Sequence, residues 1–367
     1  MSYCINPRCK ERENPDDLKC CHFCNTPLQV GVGGQYRLLA PIHFNNPLRS
    51  TEVFVAQGAG RRKIIKVLLP QTRVQVERFE REAFLLQILK HPGIPQSGID
   101  DYFVVTPPGV PFELHCIAME FIEGQTLEQW LAENRRASQA QILNWLLQLS
   151  DILKVVHTPE FDYEHSYVHC DIKPDNIMLR PDKQLSLIDF GLVTIVGEDI
   201  AKVTVGTAGY VAPEQIDGTP VPQSDFYSLG RTMIYLATGV PLNALPHDLK
   251  TGQLVWRTQA PQIDKPLAEL LDQLVSPALG VRPLNASQLL EAIGRIPEEI
   301  RKLKRQRLLP YLYGAVGIAV VIVSLISYRW VMAGVYYRLG LESQIQRQLE
   351  DSRDYLEKSI HLNSTSI

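Results

Sequence analysis

The chain has 367 residues, with 37 Lys and Arg against 40 Asp and Glu and a formal net charge of −3. Its pI near 6.3 gives no basic field for nucleic acid, so no nucleic-acid partner is expected. The length allows one large core with small appendages. Of the seven cysteines, Cys4, Cys9, Cys20, Cys21 and Cys24 crowd the N-terminus. Cys4-x4-Cys9 followed by Cys21-x2-Cys24 is a four-thiolate zinc spacing. Pro7, Pro15, Asn25 and Pro27 mark turns, and this short stretch offers no hydrophobic core, so a metal would have to supply its folding energy. Disulfides and unstructured thiols are the competing readings. With no secretory signal peptide, the expectation is structural Zn²⁺ on Cys4, Cys9, Cys21 and Cys24. Cys20 could replace Cys21 only through a less common three-residue gap. Gly31-Val-Gly-Gly34 reads as a flexible linker.

Ile64-Ile-Lys66-Val-Leu-Leu reads as a strand carrying a Lys among branched aliphatics. Val76 to Lys90 has helical periodicity, with Phe79, Leu86 and Leu89 near one stripe and Glu82 in Arg-Glu-Ala; Glu77 and Glu80 are solvated alternatives. His115 to Gly124 reads as a strand running into a linker. In the next helix Leu143, Leu146, Leu147, Leu149, Ile152, Leu153 and Val156 form an apolar stripe, read as core. The string His169-Cys-Asp-Ile-Lys-Pro-Asp-Asn-Ile-Met178 follows, then Asp189-Phe-Gly191, Gly206-Thr-Ala-Gly-Tyr-Val-Ala-Pro-Glu214, Asp225-Phe-Tyr-Ser-Leu-Gly230 and Val281-Arg-Pro283.

These segments, in this order, resemble the eukaryotic-type protein kinases found in bacteria. The resemblance implies an α+β, two-lobed kinase fold over 35–300, with lobes 35–125 and 126–300. It also implies ATP with Mg²⁺, or Mn²⁺ in its place, and protein Ser/Thr hydroxyls as phosphoryl acceptors. Asp171 would be the catalytic carboxylate, Lys173 would stabilise the transferring phosphoryl group, and Asn176 and Asp189 would hold the metal. Lys66, paired with Glu82, would contact the nucleotide phosphates. Backbone groups of Glu120 and Ile122 would hold the adenine edge, with Met119 behind. Glu214 would pair with Arg282 to fix the substrate platform, and Asp225 would brace the catalytic loop. Lys173 is the Ser/Thr pattern, and Ala-Pro-Glu214 argues against small-molecule phosphotransferases. Zinc ribbons ahead of a kinase domain resemble an arrangement in bacterial Ser/Thr kinases.

The chain departs from the family in the nucleotide-covering loop. Its three glycine positions fall on Asn46, Leu48 and Thr51, with Asn45 and Asn46 able to take up part of the turn. A pseudokinase or nucleotide-binding scaffold is therefore the rival reading. Cys170 stands where regulated kinases carry the Arg that receives an activation-loop phosphate. Thr194, Thr204 and Thr207 are nearby phosphorylation candidates, and His157 to Val168 reads as a lengthened surface loop.

Leu308 to Tyr328 carries no charge and as a helix spans about 31 Å at about 1.5 Å per residue, enough for a bilayer core. Tyr311, Tyr313, Tyr328 and Trp330 lie where an aromatic belt would. Arg301, Lys302, Lys304, Arg305 and Arg307 precede it, so 301–307 is a basic juxtamembrane segment and the positive-inside rule puts 1–307 in the cytoplasm. The expected layout is a ribbon with linker at 1–34, the kinase domain at 35–300, one transmembrane helix at 308–328 and an extracytoplasmic tail at 329–367. That tail, with Tyr336/Tyr337-Arg-Leu339-Gly340 and Asp354 to Asn363, resembles a single tetratricopeptide-type helix pair. One such unit cannot bury its apolar face. It either pairs with a second copy as a homodimer, packs near the bilayer or stays partly disordered.

Overall fold

A computed structural model of the chain describes all residues except 43–49, 70–71, 161, 163, 199–205, 249–251 and 365–367. Asn45, Asn46, Leu48 and Thr204 lie outside the described residues. The chain divides into two compact units, Met1–Pro297 and Glu298–Ile367.

The first unit opens on a small hairpin in which Ser2–Tyr3 pairs with Glu13–Asn14. An antiparallel six-stranded sheet follows, in the spatial order Gln29–Val30, Tyr36–Pro41, Thr51–Gly58, Arg61–Leu68, Leu114–Glu120 and Tyr102–Val105. The segment Arg61–Leu68 is a strand because Ile64, Ile65 and Val67 are branched at Cβ and pack on the pleated surface. Its cross-strand partners are fixed on both sides, with Val53 opposite Lys66 on one flank and Ile117 on the other.

Two expectations about the N-terminus change here. Ile5, from the cysteine-rich ribbon, is buried in one core with Tyr36, Leu38, Phe54, Ile65 and Val67. The ribbon thus leans on the sheet's core. The presumed linker is also different, because Val32–Gly34 forms a 3-10 turn between two strands that pair with each other. Gly31, Gly33 and Gly34 take φ of 87°, 66° and 71°, values that side chains beyond glycine rarely allow.

Helix Arg73–Ile88 starts one turn earlier than the expected Val76, because the Thr72 N–H is satisfied by the Gln75 side chain at 3.0 Å. It buries Phe79, Glu82, Ala83, Leu85 and Leu86. The second lobe is mainly helical, with Leu127–Asn134, Gln139–His157, Pro222–Thr238 and Lys265–Leu274. In Gln139–His157 the buried face is Ile142, Trp145, Leu146, Leu149, Ile152, Leu153 and Val156. Leu147, expected in that stripe, is 41 % exposed; at about 100° per residue it falls on the opposite side from Leu149 and Trp145. Helix Pro222–Thr238 begins with Pro in its first turn and ends at Gly239, where an added Cβ would lie 2.1 Å from the Arg135 carbonyl oxygen. Only glycine fits there. A small antiparallel sheet of Gln125–Thr126, Ile177–Leu179 and Leu185–Leu187 holds the catalytic-loop string at one end.

Helix Ala286–Ser364 buries Leu289, Ile293 and Ile296 in its first turns. Within Glu298–Ile367 the described residues remain helical to Ser364, so the helix pair expected in the tail is absent among them. The reason is compositional: after Gly340 the helical residues include no Gly or Pro, and Leu, Glu, Gln and Arg recur among them. The described residues contain one helix long and apolar enough to cross a membrane, within Val316–His361 and with a mean hydropathy of 2.0. Val320, Val321, Ile322 and Val323, successive around its circumference, are all exposed.

Candidate active site

Two clusters of predicted residues form in the first unit. In the first, the strand Arg61–Leu68 supplies Lys66 and helix Arg73–Ile88 supplies Glu82. Lys66 Nζ donates to both Glu82 carboxylate oxygens at 2.8 Å and to Asp189 Oδ1 at 2.7 Å. Burial works against the Lys66 charge, but the carboxylates of Asp189 and Glu82 hold its pKa above the usual value. The same ammonium holds the Asp189 carboxyl down at about 2. Burial pushes Glu82 upward against the pull of Lys66; the paired 2.8 Å bonds nonetheless mark an ion pair. Because the Asp189 pKa is depressed, its stabilising attraction is complete above about pH 4. It is lost as pH falls through about 2. Gly191 closes the cluster: an added Cβ would lie 3.2 Å from Lys66 Nζ and 3.3 Å from Asp189 Oδ1.

The second cluster is the loop after Tyr167–Val168. Thr207 Oγ1 donates to Asp171 Oδ1 at 2.6 Å, while Lys173 Nζ donates to Asp171 Oδ2 at 2.8 Å and to Thr207 Oγ1 at 2.7 Å. Asn176 Nδ2 donates to Asp171 Oδ2 and to its carbonyl oxygen, both at 2.9 Å. The two clusters are tied by the Ile188 N–H, which donates to the Asn176 carbonyl at 2.9 Å one residue before Asp189. Asn176 commits its amide nitrogen to Asp171, so its Oδ1 together with the Asp189 carboxylate makes a hard oxygen donor set suited to Mg²⁺.

The loop's backbone is held from below. Asp225, fully buried, accepts from the His169 N–H at 2.7 Å, the Cys170 N–H at 2.9 Å and His157 Nε2 at 2.9 Å. Cys170 takes φ 67°, a strained region for a side-chain-bearing residue, and its carbonyl accepts from Gln215 Nε2 at 2.7 Å. Its thiol is buried and points to no charge-receiving role; burial pushes its pKa well up. Behind the loop, Arg282 meets Glu214 at 2.7 and 3.2 Å and Ser224 Oγ donates to Glu214 at 2.6 Å. Removing one partner from such a buried pair costs about 3–5 kcal/mol.

Glu120 and Ile122 stand apart from both clusters, at the end of strand Leu114–Glu120 and just after it. The Glu120 N–H donates to the Gln96 carbonyl at 2.9 Å, and Met119 and Ile122 are each 8 % exposed. Glu77 pairs with Arg73 and Glu80 accepts from the Tyr102 hydroxyl. Thr194 is buried in a strand pairing with Tyr167–Val168, out of reach of a modifying enzyme.

Sequence reading missed a bidentate pair. Arg81, next to Glu82, meets Glu198 at 2.8 and 2.6 Å. The pair spans 117 positions; Arg81 stands in the Arg-Glu-Ala segment with Glu82, but nothing in that segment or around Glu198 pointed to its partner.

At the N-terminus, one sulfur from each of Cys4, Cys9, Cys21 and Cys24 lies within 4.8 Å of the other three. Cys4 and Cys24 approach to 3.5 Å and Cys9 and Cys21 to 3.7 Å, near the edge of about 3.8 Å that a tetrahedral zinc with Zn–S of about 2.3 Å requires. All seven cysteines are free thiols, and Cys20 stands outside the group. Burial pushes Cys4 and Cys9 up; it opposes ionisation of Cys24 too, but hydrogen bonds from Thr26 draw that thiol down to about 6. Four sulfurs so close need a cation to ionise together. The donor set fits a metal.

A protein kinase domain model matches residues 52–292. Serine/threonine-protein kinase C of Synechocystis sp. is 36% identical over 276 residues, covering 68% of this chain and 47% of that protein. Serine/threonine-protein kinase B of the same organism is 29% identical over 315 residues, covering 80% and 52%. PknA of Nostoc sp. is 33% identical over 261 residues, covering 66% and 44%. The chain spans about half the length of these curated relatives. With a family match across most of its length and the Lys66–Glu82–Asp189 and Asp171–Asn176 clusters in place, the chain belongs to the protein kinase family.

Proposed function

We propose that the chain is a serine/threonine protein kinase that transfers the γ-phosphoryl group of ATP to protein hydroxyls in membrane-anchored signalling. The observation that carries this is the Asp171–Lys173–Thr207 triangle, each edge a hydrogen bond of 2.6–2.8 Å. Asp171 orients the acceptor hydroxyl and takes its proton as the oxygen bonds to γ-phosphorus and the bond to ADP breaks. Lys173 spreads its charge toward the transferring phosphoryl group. Lys66, held by Glu82 and Asp189, positions the α- and β-phosphates. Asn176 and Asp189 would hold the Mg²⁺, which would supply neutralisation of the phosphate charge. Glu120 and Ile122 offer backbone groups to adenine. Four cysteines at the N-terminus hold one structural Zn²⁺.

The site is expected to work without activation-segment phosphate. Cys170 offers no charge, and Glu198 already gives Arg81 a carboxylate beside Glu82. Phosphatase treatment should leave the initial rate unchanged. Glu198→Gln should lower it about fivefold, the worth of a part-exposed bidentate pair that biases the helix carrying Glu82. A rate that collapses after phosphatase, with products recovered only on re-phosphorylation, contradicts this. Phosphoamino-acid analysis should return Ser and Thr, not Tyr.

The basic run 301–307 and apolar span 308–328 support a single-pass anchor with the kinase and ribbon in the cytoplasm. A thiol placed at Asn363 should react with a membrane-impermeant reagent in intact cells. Labelling only after lysis would reverse the orientation.

A further inference from the structure

The ribbon's contact with the sheet is centred on Arg12. Its guanidinium donates to both Glu52 oxygens at 2.9 and 2.8 Å, a fork-on-carboxylate geometry. Its Nε donates to the Cys4 carbonyl at 2.9 Å and an Nη to the Ile5 carbonyl at 3.3 Å. The same group lies over the Tyr3 ring at 4.9 Å and the Phe54 ring at 5.4 Å. The side chains of Arg12 and Glu52 are only 14% and 23% exposed, so this pair is shielded from solvent more than an ordinary surface bridge. Arg12 thus joins the backbone of a cysteine in the four-sulfur group to a side chain of the sheet. A second anchor, Arg37, donates to the Ser2 hydroxyl at 2.8 Å and to the Asp16 carbonyl at 2.6 Å.

What Glu52 belongs to gives the contact its meaning. Strand Thr51–Gly58 leaves the sequence position of the nucleotide-covering loop, and Glu52 is its second residue. The next residue, Val53, is the cross-strand partner of Lys66, and its carbonyl also accepts from the Ile42 N–H at 2.8 Å, which closes the other root of the loop. Strand alternation turns Glu52 and Phe54 to the ribbon and Val53 to the opposite face. Positions 46, 48 and 51 carry Asn, Leu and Thr instead of glycine, residues with less intrinsic backbone freedom. Fixing its exit strand in advance lowers the ordering cost of binding.

We propose that Arg12 is a positioning residue for nucleotide binding: the ribbon reaches over the sheet and, through Glu52, fixes the strand that ends the nucleotide loop and faces Lys66. The rival account is a docking contact that contributes stability alone. This inference rests on the kinase reading, so the test separates the two.

The experiment uses the full chain with Glu52→Gln, Arg12→Lys and the double variant. Measurements are KM for ATP, kcat on a Ser/Thr protein substrate, metal content and amide hydrogen exchange of residues 51–58. Glu52→Gln keeps shape and leaves the ribbon's own bonds untouched. Its expected result is a KM for ATP raised about fivefold with kcat and metal content held, since an ion pair of this kind couples by about that factor. Exchange at 51–58 should quicken. The double variant should be no worse than Arg12→Lys, because both changes break one link. Unchanged KM and unchanged exchange in both single variants, or a fall in kcat at constant KM, overturns the proposal. If the wild type fails to bind or turn over ATP, the kinase reading falls; exchange at 51–58 then still decides whether Arg12 fixes the strand.

Discussion

Asp171→Asn is expected to lower kcat by about 10²–10⁴-fold, the range for losing a positioned proton acceptor, with the fold intact. Asn matches Asp in size, and its carbonyl can still accept from one of the donors around it. An amide NH₂ only donates, so the variant keeps either the bonds from Lys173 and Asn176 to Oδ2 or the bond from Thr207 to Oδ1, not both sets. The variant therefore loses the proton acceptor, while Lys173 keeps its bond to Thr207. ATP binding should survive, since Lys66, Glu82 and Asp189 do not touch Asp171 through any bond the substitution breaks. Steady-state transfer and nucleotide affinity measured on both proteins check this. Equal transfer by wild type and variant would remove Asp171 from the mechanism.

The second large effect concerns the cysteines. Cys21→Ser should abolish metal binding by the full chain, whereas Cys20→Ser should retain one zinc. Structural zinc contributes about 10–16 kcal/mol of apparent binding free energy in small ribbons near pH 7. A hairpin of two-residue strands has little of its own to hold it besides Ile5 in the sheet core and the Arg12–Glu52 pair. Cys21 shares the sulfur cluster, with its Sγ 3.7 Å from that of Cys9; Cys20 is half-buried and outside it. Elemental analysis reads the stoichiometry, and the melting temperature reads the cost. Zinc retained by Cys21→Ser and lost by Cys20→Ser would reverse the ligand assignment.

The catalytic half of the molecule was legible because its chemistry is local. Asp171, Lys173 and Asn176 lie within one short loop, so their meeting follows from sequence spacing. Lys66, Glu82 and Asp189 come from distant segments, and only a family resemblance brought them together on paper. Arg81–Glu198 and Arg12–Glu52 were invisible, since an ion pair between segments carries no periodicity and each partner alone reads as a solvated charge. The ribbon was read as separate because its cysteines signal a metal and its glycines signal a linker. The apolar side of Ile5 belongs to a core whose other members lie beyond residue 29. In the tail, aromatic and small-residue spacing suggested a helix pair, but among the described residues nothing after Gly340 breaks the helix before Ser364. Leu147 was misplaced for a simpler reason: a Leu-rich run hides its phase until Ile142 and Trp145 are counted in it.

The most direct test of the kinase account is Mg²⁺–ATP binding and γ-phosphoryl transfer measured on one preparation of the full chain. The glycine-free loop positions make this the point of risk, and the intact Lys66–Glu82–Asp189 cluster makes binding the expectation. The account predicts saturable ATP binding that requires Mg²⁺ or Mn²⁺, with label appearing on Ser and Thr of a protein substrate. Binding without transfer, across varied metals and protein substrates, would contradict it and leave a nucleotide-binding scaffold.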